Sequence, residues 1–220
     1  MKKILNHRYL KYLLAGLLFL SGVSGFSQNA GEETELDKKV KAFLESHKRQ
    51  WYDMNIPETD GKLLYDLIIE NGYTRALEIG TSTGRSGIWI AWALSKTGGK
   101  LITIDIDEHR HHIALENFRQ AGLADYIDAR LADAHELVPE LKGPFDFVFS
   151  DADKSWYKNY FMDIDPKLEV GGCYTTHNVT GYGRGGNREY LEYLRSLPNY
   201  STTVNYDGGG MAISYKTAKK

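Results

Sequence analysis

From Glu33 to Gln50 the apolar residues Leu36, Val40, Phe43 and Leu44 fall at i, i+4, i+7 and i+8, with charges at many of the other positions. That is one stripe of a helix lying against something. A second helix is predicted from about Thr59 to Asn71, where Leu63, Leu64, Leu67 and Ile68 are apolar and Gly72 supplies a C-terminal stop. The pattern then changes. Short apolar runs of strand character appear at Ala76 to Ile79, Leu101 to Ile106, Tyr126 to Leu131, Phe145 to Phe149 and Cys173 to Thr176, and a helix-like segment follows each of the first four. This alternation predicts an α/β fold, a parallel sheet covered by helices on both faces. After a helix at about Arg188 to Leu197, strands at about Thr202 to Tyr206 and Met211 to Tyr215 flank Asp207-Gly208-Gly209-Gly210 and read as a closing antiparallel hairpin. Residues 28–220 carry no repeat or linker and read as a single domain.

The first 27 residues stand apart. Residues 1–11 are basic, Tyr12 to Phe26 is mostly Leu, Ala, Gly and Phe, and Ser24, Gly25 and Ser27 flank a potential cut after Ser27. This is the layout of a signal peptide, with an uncleaved N-terminal anchor as the alternative. The positive flank predicts that the remainder is exported, periplasmic or extracellular, with membrane contact only through this segment. A mis-assigned start codon would leave it cytoplasmic. The leader also hides a charge asymmetry. The chain has 27 Lys plus Arg against 29 Asp plus Glu, and Lys2, Lys3, Arg8 and Lys11 lie in the leader, so 23 against 29 remain, a balance of −6. No nucleic-acid partner is expected, because a phosphate backbone needs clustered positive charge. The lone Cys173 excludes an internal disulfide and a thiolate metal cluster, and reads as a buried inert thiol.

The candidate chemistry begins where the first strand ends, at Glu78-Ile79-Gly80-Thr81-Ser82-Thr83-Gly84-Arg85-Ser86. Glycines in a strand-to-helix turn let backbone approach a ligand, and the first N–H groups of the helix favour an anionic group. Twenty-five residues after Gly80, Asp105 ends the second strand, where a carboxylate accepts hydrogen bonds from ribose hydroxyls in nucleotide-binding sheets. The turn lacks the third glycine of G-x-G-x-x-G. Glu78 would repel a pyrophosphate and attract an ammonium, so an acidic lining of Glu78, Asp105 and Asp133 suits S-adenosylmethionine better than NAD. The plainer alternative is that Glu78 and Asp105 cap neighbouring helices. Gly80 to Gly84 also matches G-x-S-x-G, a hydrolase nucleophile elbow, but only about 50 mainly helical residues separate it from the leader, against the several strands that precede such an elbow.

Taken together, Ala76 to Gly84, Leu101 to Asp107, Arg130 to Ala134 and Gly143 to Lys154 (GPFDFVFSDADK) resemble the class I S-adenosylmethionine-dependent methyltransferases, and more narrowly the cation-dependent O-methyltransferases of the catechol and caffeoyl-CoA type. The resemblance runs from about Leu36 to Tyr215. It implies a Rossmann-like seven-stranded sheet, mostly parallel with an antiparallel last strand, and methyl transfer to a hydroxyl. Carried over by position, Glu78 and Gly80 would meet the methionine part of the cofactor and Ser86 its carboxylate. Asp105 would hold the ribose, and Asp133 and Ala134 would border the adenine. Asp151 matches the first metal-binding carboxylate, and Lys154 the lysine that takes the acceptor's proton. A divalent cation there would lower the pKa of paired hydroxyls and orient them.

One position departs from that pattern. Where the family carries Asp-Asn, this chain has His177-Asn178. A site of Asp151, His177 and Asn178 has one carboxylate fewer and would favour Zn²⁺ or Mn²⁺ over Mg²⁺ or Ca²⁺. Alternatively the metal is absent and His177 is itself the base, or a loop histidine without a role. The loop Gly181 to Asn187 would fold over an acceptor or serve as a connector. His109 to His112 reads as a solvated helix start, Trp89 and Trp92 as core, and Trp156 and Tyr157 as pocket or packing. The expected function is O-methyl transfer to a small hydroxylated aromatic acceptor. The alternative is an exported protein that binds the nucleotide without turnover. A homodimer is also open, with the Glu33 to Gln50 helix as its surface or as a lid.

Overall fold

The computed structural model describes residues 33–52, 54–180 and 187–219. The leader and Gly181–Gly186 lie outside the described residues. Seven strands, β1 (Arg75–Ile79), β2 (Lys100–Asp105), β3 (Ile127–Leu131), β4 (Phe145–Ser150), β5 (Leu168–Thr176), β6 (Tyr200–Asn205) and β7 (Met211–Lys216), form one sheet in the order β3-β2-β1-β4-β5-β7-β6. Strands β1 to β5 pair in parallel, and β7, inserted between β5 and β6, is antiparallel to both. The expected α/β architecture with an antiparallel last strand is the one observed. Because the strand order reverses at β1, a crevice opens at the carboxyl ends of β1 and β4, where a nucleotide-type ligand fits such a sheet.

Helices α1 (Glu35–Ser46), α2 (Glu58–Asn71), α3 (Arg85–Thr97), α4 (Glu108–Ala121), α5 (Ala134–Glu140), α6 (Tyr157–Ile164) and α7 (Arg188–Ser196) cover it. Side chains alternate between sheet faces along each strand. Leu77, Ile79 and Val148 therefore join Val138, Tyr160, Phe161 and Leu194 of α5, α6 and α7 on one face. Ala76, Phe147 and Phe149 join Leu64, Ile68, Ile90 and Leu94 of α2 and α3 on the other. Glu78 follows the same alternation, so its carboxylate points to the α2–α3 side.

Two expectations need correction. The first helix stops at Ser46 instead of Gln50, because Ser46 Oγ and His47 Nδ1 both turn back onto the Phe43 carbonyl. Its apolar stripe packs inward: Val40 and Phe43 are buried against Ile88, Trp89, Trp92 and Phe118 of α3 and α4. Trp92 Nε1 donates to Asp37 on that seam. Strand β5 begins at Leu168, five residues before Cys173. Gly171 and Gly172 break the apolar run there, and the pairing with β4 shifts register between Phe145 and Phe147. Trp89, Trp92 and Cys173 are buried as read from the sequence.

Candidate active site

The glycine turn is held from both sides. The N–H groups of Gly80 and Thr81 donate to the Ile104 carbonyl, and Ser82 N–H donates to Asp105 Oδ2 at 2.6 Å. Asp105 Oδ1 accepts the Asp107 N–H at 2.9 Å, so this carboxylate ties the turn to the tip of β2. Asn55, just before α2, donates to Thr83 Oγ1, and Asn117 of α4 donates to the Thr83 carbonyl. Gly80 has φ +101°, and a Cβ there would lie 2.7 Å from the Asp151 carbonyl oxygen. The tips of β1 and β4 thus come as close as a residue without a side chain permits.

Glu78 is completely buried beneath the first turn of α3. Thr103 Oγ1 donates to its Oε2 at 2.5 Å, while Oε1 has no hydrogen-bond partner among the described residues. Burial raises its pKa; the Ser86 and Thr103 hydroxyls pull the other way, Asp105 and Asp151 add to the rise, and the net position is about 8. An unpartnered oxygen on a buried carboxyl leaves a hydrogen-bonding position open to a ligand. Asp133 caps α5 through the His135 N–H, and Ala134 is buried behind it. The His135 ring packs at 4.6 Å from the Trp156 ring and lies 3.3 Å from Asp153, forming a lip that the sequence reading did not assign.

The second half of the site lies at the tips of β4 and β5. His177 Nδ1 is 2.9 Å from Asp151 Oδ2, and its Nε2 is 2.7 Å from Asp60 Oδ2. Burial alone would lower the pKa of this imidazole, but hydrogen bonds to two carboxylates carry it up to about 9. Tyr157, buried on α6, donates to the other Asp151 oxygen at 3.3 Å and to the His177 carbonyl at 3.2 Å. Lys154 Nζ, on the exposed side, donates to Asn178 Oδ1 at 2.7 Å. Gly209 N–H, in the β6–β7 turn, completes the set with a 2.8 Å bond to Asp60.

Asp151, His177, Asn178 and Lys154 are therefore brought together, yet the first three do not form a cation cage. Both Asp151 oxygens, both His177 ring nitrogens and the Asn178 amide oxygen already have partners, and no cluster of three His, Cys, Asp or Glu suited to a metal occurs among the described residues. The residues present do not fit the divalent ion that the resemblance implies. Both His177 ring nitrogens are held by carboxylates, Nδ1 by Asp151 and Nε2 by Asp60. His109 and His112 are exposed and belong to no metal cluster either.

Asp60 was missed in the sequence, although a signal was present. It precedes Leu64, Leu67 and Ile68 by four, seven and eight residues, which puts a carboxylate on the buried stripe of α2. A buried carboxylate demands a partner.

A sheet of this order, with a glycine turn and paired carboxylates at the crevice, defines a class I S-adenosylmethionine-dependent methyltransferase fold. Comparison with known proteins narrows it. Residues 27–190 match the family described as O-methyltransferase. The chain is 38% identical over 113 residues to a catechol O-methyltransferase from Niastella koreensis, a stretch covering 50% of this chain and 51% of that protein. It is 31% identical over 176 residues to caffeoyl-CoA O-methyltransferase 1 from Eucalyptus globulus, covering 75% and 70%. Among solved structures, an O-methyltransferase from Bacillus cereus in complex with SAH superposes with a TM-score of 0.71 at 26% identity, over 82% of this chain and 91% of that one. The O-methyltransferase of tomaymycin synthesis from Streptomyces achromogenes, in complex with SAM, gives 0.70 at 26% identity, over 88% and 94%. The chain belongs to the O-methyltransferase family.

Proposed function

We propose that this protein transfers a methyl group from S-adenosylmethionine to a hydroxyl of a small aromatic acceptor. The observation that carries the reading is the buried Glu78, with one carboxyl oxygen unpartnered, set under a turn whose far side touches the Asp151 tip of β4. Support for the acceptor class comes from the catechol and caffeoyl-CoA relatives. In this reading Glu78 and Gly80 meet the methionine part, Ser86 its carboxylate, Asp105 the ribose, and Asp133 with Ala134 the adenine.

When bound, the cofactor supplies an electrophilic methyl on a sulfonium sulfur, which becomes a neutral thioether once the O–C bond has formed. The chain's own residues do the rest. Lys154 Nζ takes the acceptor's proton and passes it to solvent. Asn178 orients that nitrogen by its 2.7 Å bond. Tyr157, whose hydroxyl is pushed far up by burial and by Asp151, stays a proton donor and keeps Asp151 in place. His177 positions; it does not abstract. Two polar tips at one edge, one for the donor and one for the proton, hold both reactants in reach.

Titration calorimetry with S-adenosylmethionine, paired with a methyl-transfer assay on catechols, tests the reading. Binding with transfer is expected. Absence of binding overturns it, and binding without transfer across a broad hydroxylated panel leaves a non-catalytic nucleotide-binding protein. We also propose export, resting on the basic start and apolar run of residues 1–27. N-terminal sequencing of the native protein should find a terminus after Ser27, and an intact Met1 on a protein recovered from the cytosol would refute it.

A further inference from the structure

We propose that the site works without a divalent cation, with the His177 ring filling the space between two carboxylates and Asp60 acting as the positioning residue that holds it there. The inference rests on the methyltransferase reading above.

Asp60 is 1% exposed and comes from the start of α2, on the opposite side of His177 from Asp151. Its Oδ2 lies 2.7 Å from His177 Nε2 and accepts the Gly209 N–H at 2.8 Å. With Asp151 on Nδ1 at 2.9 Å, the ring is gripped at both nitrogens and cannot swing. A cation would have to displace one of these bonds, or the Lys154 bond that occupies Asn178 Oδ1.

The third side is shut by backbone. A side chain on Gly208 would collide with the Asp60 carboxylate, and one on Gly209 with the His177 ring and the Asn178 amide. Magnesium usually keeps several of its waters when protein-bound, and the glycine turn fills the space where those waters would sit. Lys154 then stands beside the acceptor oxygen through its bond to Asn178, in the region where the family pattern places a metal. The chain has replaced an ion held by carboxylates with a ring held by carboxylates.

Three measurements on the full-length protein decide this. Calorimetric titration with Mg²⁺, Mn²⁺ or Zn²⁺ alone should give no binding heat; saturable binding of any of them at one site that is lost in Asp151→Asn overturns the inference. Transfer should persist within about twofold in excess chelator, and loss restored by added Mg²⁺ overturns it. Asp60→Asn should lower kcat on the order of a hundredfold, the size of effect that misplacing a positioned group can have, while KM for the cofactor stays unchanged and Asp60→Glu partly restores kcat. An Asp60→Asn protein with unchanged kcat removes Asp60 from the role, and an equal loss of kcat and cofactor affinity reduces it to a structural one. If no acceptor is methylated the function fails, and the cation titration still decides this inference.

Discussion

A Cβ on Gly80 would sit 2.7 Å from the backbone carbonyl oxygen of Asp151, so the tips of β1 and β4, proposed above to face the donor and the acceptor, are in backbone contact. Nothing can be inserted between the two halves of the site without parting the sheet at its switch point. Gly80→Ala must both adopt φ +101° and push on a carbonyl it cannot move cheaply. The expected cost is about 1 to 3 kcal/mol from the sparse backbone region alone, with cofactor affinity falling in parallel. Denaturant unfolding and calorimetry check it, and an unchanged variant on both would show that the contact is slack.

In the proposed reading, Glu78 makes cofactor binding a proton-linked event. Its carboxyl stands at about 8 in the folded protein against an ordinary 4.5, so the folded state binds the extra proton across that window. Its contribution to stability is complete below about 4.5 and is lost as pH rises through about 8. A bound ammonium favours the ionised form and expels the proton. Calorimetry near neutral pH, in buffers of different ionisation enthalpy, should therefore register proton release that disappears in Glu78→Gln. Zero release by the unmodified protein would contradict an ammonium at Glu78.

His177 gives a second signature, readable without any ligand. Its pKa rises from 6.5 to about 9, so its contribution is fully present below 6.5 and fades as pH climbs through about 9. Melting temperature should fall over that interval. Asp60→Asn removes one of the two carboxylates responsible and should flatten the fall. Parallel curves for the two proteins would mean that Asp60 does not govern the ring.

Asp105 ties the glycine turn to β2 and, in the proposed reading, also holds the ribose; a single variant separates the two. Asp105→Ala deprives the Ser82 and Asp107 N–H groups of an acceptor, a loss of about 1 to 3 kcal/mol for a group left unsatisfied. Cofactor affinity should fall by more than this destabilisation explains, measured at a temperature where the variant is fully folded. Near-normal affinity would take the ribose away from Asp105.

Lys154 is exposed and bonded only through its tip to Asn178, so Lys154→Met should melt within a degree or two of the parent. Transfer should drop by about 10² to 10⁴, the usual worth of a positioned base, with cofactor affinity intact. Retained turnover would transfer the role to solvent or to another group.

Local order was legible in the residues alone. Helix and strand periodicities, the glycine turn, the carboxylate at the tip of β2 and the Asp151 to Lys154 spacing are short-range patterns, because hydrogen bonding and side-chain alternation act over a few positions. Even there, Gly171 and Gly172 concealed the first half of β5, since glycine carries no apolar signal and the bulge was set by pairing with β4. His177 could be seen as a departure, and three roles for it stayed open. The contact that bears on them is with Asp60, 117 positions earlier in the chain. Its stripe position on α2 announced burial but not a partner. Packing of α2 beside the end of β5 and the glycine hairpin brought that carboxylate onto the imidazole, and the same packing gave partners to the atoms that the resemblance assigns to a metal. The order of elements and the type of crevice belong to the sequence. Which atoms remain available for chemistry belongs to the tertiary structure, because hydrogen-bonding capacity is finite and only the folded chain determines which neighbour claims it.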